Sequence, residues 1–445
     1  MKVKILSRNP DDYLRETKRD IHKVPRNYDP TLHPFEAARE YTRALNAVKL
    51  DRVFAKPFIG SLDGHLEGIS VLSKHPKSLS LAGSGSFDGE VRLWNLPTRK
   101  CLRRIQAHDG YVRGIAFTND GQRFITIGDD KTLKTWRTDA PGFDESDLPT
   151  NTIISKTLLN GISYNYKTSQ YATCGEVCQL WEESRNEPVR SFQWGADSAY
   201  HIAFNLVEQH LLSICANDRS ITFYDTREAG PVRKMVLAMR SNQVAWNPME
   251  AFTYTVANED YNSYTFDTRK MASAICVHKG HISAVISVDY SPTGLEFVTG
   301  SYDRTLRIYP INKTFSRDVY HTKRMQRITN VLWSMDDKYV LSASDEMNIR
   351  IWKARASEKL GLAVPREKAN FRYQEALKRK FEAFPQIRSI AKHRHVPKYL
   401  HRASEQHRQM FLKEKRKEAN RRSHSKPGSV PFVSEKKQPI VEEKS

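Results

Sequence analysis

The residues best suited to chemistry are histidines and aspartates that recur at fixed spacing. His65, His108 and His281 stand 29, 28 and 28 residues ahead of the aromatics Trp94, Trp136 and Tyr309. Asp88, Asp130 and Asp303 stand six residues ahead of the same aromatics. An imidazole beside a carboxylate could act as a general base with its orienting group. Several copies are the wrong number for one active site, however. Buried polar groups require partners, and a repeated set of them meets that need structurally. Other catalytic signatures are missing. Gly83-Ser84-Gly85-Ser86 runs into Phe87-Asp88-Gly89, not into the Gly-Lys-Thr of a phosphate loop, and the chain has no Gly-x-Ser-x-Gly elbow or His-Glu-x-x-His helix. The chain therefore reads as a binding protein, not an enzyme, with no cofactor and no metal. His393 and His395 lack an acidic or cysteine cluster beside them, and Cys174 and Cys178 lack a matching second pair.

The elements that must carry these residues follow from the spacing. Trp94, Trp136, Trp181, Tyr224, Phe266, Tyr309 and Trp352 succeed one another at intervals of 42, 45, 43, 42, 43 and 43 residues. An acidic turn precedes an alternating strand in most of these units; Asp218 and Asp260 continue the series begun by Asp88 and Asp130. A period of about 40–45 residues with four short strands per unit marks propeller blades. With its Gly64-His65 and Gly280-His281 dipeptides the sequence resembles the WD-repeat family. That resemblance implies an all-β, seven-bladed WD-repeat β-propeller. It also implies that His65 with Asp88, His108 with Asp130, and His281 with Asp303 join Trp94, Trp136 and their equivalents in a buried hydrogen-bond network.

Some units depart from the pattern. The third has Gly175 in place of the Asp, the fourth and fifth lack Gly-His, and the seventh reads Ser344-Asp345-Glu346, leaving either acid as the turn residue. These blades are expected to be the more mobile ones. Arg52 to Ile59 reads as a spare strand, and the resemblance implies that it closes blade seven.

Charge is divided unevenly. Residues 1–61 hold 13 basic and 8 acidic side chains, residues 62–353 hold 34 and 33, and residues 354–445 hold 24 and 10. Nearly all the net +20 charge thus lies in the flanks. Such flanks attract polyanions. Five scattered cysteines suit reduced thiols. No secretory leader or membrane-length apolar run is present, so a soluble intracellular protein is expected. Three regions follow: an arm and helix over 1–50, the propeller over 51–353, and a basic helical extension over 354–445.

The flanks carry periodicity of their own. Residues 33–49 read as a helix with Phe35, Ala38, Tyr41, Leu45 and Val48 on one face, expected to dock on the propeller. Residues 1–30, with Pro10, Pro25 and Pro30, read as an extended arm. Glu367 to Phe384 reads as a helix ended by Pro385, and Ser404 to Arg422 as a basic helix that folds on an anionic partner. Candidate RNA or particle contacts are Lys392, His393, Arg394, His395 and Lys398, then Lys413, Lys415, Arg416, Lys417, Arg421 and Arg422.

The segments Val24-Pro25-Arg26-Asn27-Tyr28-Asp29-Pro30, Arg43 to Leu50, Ala356 to Gly361 and Lys392 to Lys398 resemble the Sof-type WD-repeat family. This resemblance spans almost the whole chain. It implies a nucleolar scaffold of the small-subunit processome, acting on pre-ribosomal RNA with a small nucleolar ribonucleoprotein and other processome proteins, as a monomer in a large complex. Tyr224-Asp225-Thr226-Arg227 and Phe266-Asp267-Thr268-Arg269 resemble the Trp-Asp-x-Arg motif of cullin-4 ubiquitin ligase receptors. That implies a second role, with Tyr224, Asp225, Arg227, Phe266, Asp267 and Arg269 contacting the ligase adaptor.

Overall fold

The computed structural model describes residues 30–139, 148–193, 197–228, 230–426 and 428–444. The expected arm lies outside them except for Pro30. The chain forms two compact units, one of residues up to Ala55 with Ser357–His393, the other of Lys56–Ala356 with Arg394–Ser445. This differs from the three consecutive regions read from sequence, because the basic extension is shared between the units.

In the larger unit, seven antiparallel sheets form the blades, spanning 69–106, 112–154, 159–192, 199–237, 241–278, 285–320 and 328–353. Within a blade the inner strands are covered on both faces and the outer strand on one. Thus Leu81–Ser86 is buried almost throughout, while Lys100–Gln106 alternates between exposed and buried side chains. Blade seven takes its outer strand from Phe58–Leu62, antiparallel to Ile349–Lys353. The closing strand is therefore shifted from the expected one. Arg52 and Val53 end a helix, and Pro57 separates it from the strand.

The turn aspartates have a common task. Asp88, Asp130, Asp218, Asp260 and Asp303 each accept a hydrogen bond from the backbone N–H two residues on, at 2.9–3.1 Å. The intervening residue is left-handed: Gly89, Lys131, Arg219, Tyr261 and Arg304 all have positive φ. Met347 does too, so Glu346 takes the turn position in blade seven. Its carboxylate pairs with Arg350.

Among the described residues no backbone ladder joins one blade to the next, and side chains cross the joints. On the inner strands Asn165 donates to Gln209 O at 2.7 Å, Asn205 to Ala251 O at 2.7 Å and Asn247 to Gly294 O at 3.2 Å. His75 Nε2 does the same to Gly121 O at 3.0 Å. On the outer strands Arg190, Arg233 and Arg317 each donate at 2.9 Å to a carbonyl just after the next blade's closing aromatic.

The C-terminal tail returns to the ring. Ile440–Lys444 pairs with Pro231–Leu237 as a fifth strand of blade four. This strand is not among the elements expected from the sequence.

The smaller unit contains α1 (Glu36–Val53), α2 (Pro365–Lys380) and α3 (Pro385–Lys392). Ala44 and Val48 of α1 pack with Leu377, Phe381 and Ile387. The buried face of α1 is thus matched by α2 and α3, where the sequence suggested a blade. Phe35 and Ala38, expected on that face, are exposed. Pro385 ends nothing by itself; it opens α3 at a first-turn position, where a missing N–H costs no bond.

Leu62 is fully buried among Ile349, Ile351 and Ile69. Leu62→Ala should destabilise the ring by about 2–5 kcal/mol. A single denaturant transition shifted by that amount is the expected result, and an unshifted midpoint contradicts closure through this strand.

Candidate functional site

The recurring histidines His65, His108 and His281 are buried, as is Asp303, while Asp88 and Asp130 are half-buried. In blade two, His108 Nδ1 donates to Asp130 at 2.9 Å and Nε2 meets Thr126 Oγ1 at 2.8 Å. Trp136 Nε1 donates to the same hydroxyl at 3.0 Å. The chain of donors fixes the tautomer: Thr126 accepts from Trp136 and gives its proton to Nε2. Blade six repeats the arrangement with His281, Asp303 at 2.9 Å and Thr299 at 2.7 Å. Tyr309 fills the tryptophan position and reaches Lys279 O instead.

Blade one corrects the expectation. His65 Nε2 meets Ser84 Oγ at 2.6 Å, and Trp94 donates to that oxygen at 2.7 Å. The carboxylate facing His65 Nδ1, at 3.3 Å, belongs to Glu90 and not to Asp88. Asp88 is occupied by Ser86 and the Glu90 N–H. Burial opposes ionisation of Glu90, but bonds from His65 and Arg92 prevail and hold its carboxyl at about 2. Glu90 falls two residues past the turn Asp, where its longer side chain reaches back to the imidazole.

The preceding glycines follow from the same blades. At Gly64 and Gly280 a Cβ would stand 2.2 and 2.5 Å from the guanidinium nitrogens of Arg92 and Arg307, two residues before the closing aromatic. Blade two has Lys134 at that position, and Ala107 is tolerated.

A histidine that spacing alone did not single out lies in blade five. His278 Nδ1 donates to Lys313 O at 2.9 Å, and Nε2 meets Thr265 Oγ1 at 2.9 Å. Burial pushes its pKa down to about 4, the Lys313 carbonyl opposing. Burial lowers His108 and His281 as well. Cys174 and Cys178 are buried free thiols, and burial raises Cys178 to about 12. No cluster of metal-binding side chains occurs among the described residues.

The surface motifs fall on opposite faces. Asp225-Thr226-Arg227 and Asp267-Thr268-Arg269 follow the third strands of blades four and five, at the face away from the acidic turns. Tyr224 and Phe266 are buried anchors. Arg227 makes a two-pronged contact to Asp225 at 3.0 and 2.7 Å; Arg269 matches it on Asp267 at 3.1 and 2.9 Å. These bonds hold both carboxyls below the ordinary carboxylate range. Both guanidiniums stay about two-thirds exposed, with side-chain values of 68% and 66%. Arg190 and Arg233 clamp the carbonyls of Thr226 and Thr268, so each motif has a fixed backbone.

The other face carries α4 (Lys398–Ser423). Tyr399 donates to Asp303 O at 3.2 Å, His407 packs edge-on to Tyr261 at 5.2 Å, and Lys279 sits over Phe411 at 4.7 Å. The expected folding partner of this helix is thus partly the ring itself. Of the candidate contacts, Arg394 is committed to Asp318 at 3.1 Å and to Arg317 O. His395 stacks on His321, and its carbonyl accepts from the His321 ring. Lys392, His393 and Lys398 are exposed. Lys413, Lys415, Arg416, Lys417 and Arg421 are also exposed; Lys415 lies over Phe411, and Arg422 bonds Glu418 and covers Phe432.

A closed ring of seven blades, with paired arginine motifs on one face and a basic helix on the other, defines a WD-repeat propeller. The chain matches a family model described as "Sof1-like domain" over 354–440. It also matches "WD domain, G-beta repeat" over 56–95, 99–137, 273–309 and 317–353, which takes in blades one, two, six and seven. It is 56% identical over 441 residues to "DDB1- and CUL4-associated factor 13" of Xenopus laevis, covering 99% of each chain. The Homo sapiens protein of that name is 55% identical over the same coverage. "Protein SOF1" of Saccharomyces cerevisiae is 41% identical over 464 residues, covering 99% of this chain and 94% of its own. The chain belongs to the Sof1-like WD-repeat family.

The depressed His278 pKa sets a pH dependence. The unfolded imidazole titrates near 6.5, so stability from neutral burial is complete above that value. It is lost as pH falls towards 4, by up to about 3 kcal/mol. The melting temperature should drop across this window, and His278→Gln should flatten the drop; a variant with the parent's pH profile contradicts this.

Proposed function

We propose that the chain is a non-enzymatic scaffold of the small-subunit processome, required for pre-ribosomal RNA processing and small-subunit biogenesis in the nucleolus. The observation that carries this reading is that the likeness to the yeast protein runs through ring and basic extension together. A shared ring alone would not define a task. The near-neutral ring organises protein neighbours, and the cations of α4 hold the RNA-bearing particle. Lys413, Arg416, Lys417 and Arg421 are exposed and form no ion pair among the described residues, so their charge is available to phosphate. Such contacts weaken steeply with salt as counterions are released.

A second role coexists with the first. The chain also serves as a substrate receptor for a cullin-4 ubiquitin ligase, engaging the adaptor through Arg227 and Arg269. What favours coexistence is geometry: these arginines and α4 occupy opposite faces of the ring, so neither partner need displace the other.

Replacing Lys413, Lys415, Arg416, Lys417, Arg421 and Arg422 by glutamine should shift the protein from pre-ribosomal particles to free fractions in a sedimentation gradient. Small-subunit RNA precursors should accumulate in cells carrying only that form. Unchanged sedimentation would refute the scaffold reading. Arg227→Ala with Arg269→Ala should abolish adaptor pull-down while leaving sedimentation intact; retained pull-down removes the receptor role.

A further inference from the structure

Several arginines of the ring are ion-paired: Arg92, Arg113, Arg227, Arg240, Arg269, Arg317 and Arg350 all have a carboxylate within salt-bridge distance. Arg304 and Arg327 differ. Neither forms an ion pair or side-chain hydrogen bond among the described residues, and both are exposed. They lie on the face that bears α4. Arg304 is the left-handed residue of the blade-six turn, and Arg327 directly precedes the first strand of blade seven. The Arg327 guanidinium covers the ring of Tyr302 at 5.4 Å. Next in the same turn, the Asp303 carbonyl accepts from Tyr399 of α4, and Arg304 follows it directly in the chain. The two rings thus flank one turn and stay open to solvent, Tyr302 at 43% and Tyr399 at 54%. Lys398 and Arg402, on the first turns of α4, are exposed and likewise without ion-pair partners among the described residues. Two acids are near: the Asp303 carboxylate is taken up by His281, and the Asp345 N–H bonds the Arg327 carbonyl.

From this geometry we infer a binding site for single-stranded RNA where blade six meets α4. Unstacked bases lie on Tyr302 and Tyr399, and Arg304, Arg327, Lys398 and Arg402 hold the flanking phosphates. Exposed aromatic faces beside unpaired cations are what a single strand requires: stacking tolerates any base, and the cations track the backbone. An acidic protein segment would use the cations but gain little from two solvent-facing rings. The inference rests on the reading of the chain as part of an RNA-bearing particle, and deepens it by placing direct RNA contact partly on the ring. It adds Tyr302, Arg304, Arg327, Tyr399 and Arg402 to the contacts expected from the basic segments alone.

The test uses the full chain and a short fluorescein-labelled oligouridylate followed by anisotropy over a salt series. Tyr302→Ala and Tyr399→Ala should each weaken binding about ten-fold with the salt slope unchanged. Tyr302→Phe and Tyr399→Phe should keep parent affinity, since the ring remains. Arg304→Gln with Arg327→Gln should weaken binding and flatten the slope by about two phosphate contacts. Parent-like melting curves check that the variants fold. The site is overturned if the alanine variants bind as the parent does. It is also overturned if oligoglutamate displaces the RNA as effectively as unlabelled oligouridylate, which would mark an acidic-protein surface. Either result leaves the processome reading standing when sedimentation with pre-ribosomes persists; that reading fails separately if co-sedimentation is lost from the parent itself.

Discussion

Seven separate sheets make a ring only through what crosses the joints between them. The strand pairings stay within blades, and among the described residues no ladder runs from one to the next. The joints are held instead by apolar faces and by side chains that donate to carbonyls of the neighbouring blade, as Asn165, Asn205 and Asn247 do on the inner strands and Arg190, Arg233 and Arg317 on the outer. A buried carbonyl left without a donor costs about 1–3 kcal/mol, so the loss of one such bond is felt around the circle. The two arginine motifs inherit this rigidity. Thr226 and Thr268, inside the two arginine motifs, are among the carbonyls so clamped.

The two faces divide the work by the direction of the strands. Acidic turns and the entries to the first strands gather on one face, and the residues after each closing aromatic gather on the other. The helix α4 lies across the first, with Tyr399 and His407 seated on neighbouring blades. The exposed pairs Asp225–Arg227 and Asp267–Arg269 mark the second. A ring of this kind can therefore present one partner with cations and another with fixed guanidiniums without either surface distorting the other.

Period and spacing made the ring legible because every repeat must solve the same packing problem. The closing aromatics and the turn aspartates could be found by counting; the networks of His108 and His281 followed from the resemblance to WD repeats. What counting missed depended on side-chain reach or on contacts distant in sequence. Glu90 replaces Asp88 at His65 because a longer acid two residues on can span the same gap. His278 fills an interior position that no neighbouring blade shares. The pairing of α1 with α2 and α3 joins segments more than three hundred residues apart, and the return of Ile440–Lys444 to blade four depends on an edge that only the folded ring exposes. The basic character of α4 was plain in composition; its seat on Tyr261 and Asp303 was not.

Blade seven is finished by a strand made before any other part of the ring. Phe58–Leu62 leaves the ribosome roughly 290 residues ahead of Ile349–Lys353, which at about 5–20 residues per second is a wait of about 15–60 s. Through that interval Ile59 and Leu62 have no sheet to join, and blades one to six stand as an open arc with a bare edge. The nascent chain therefore carries an unpaired strand until the last blade has been made.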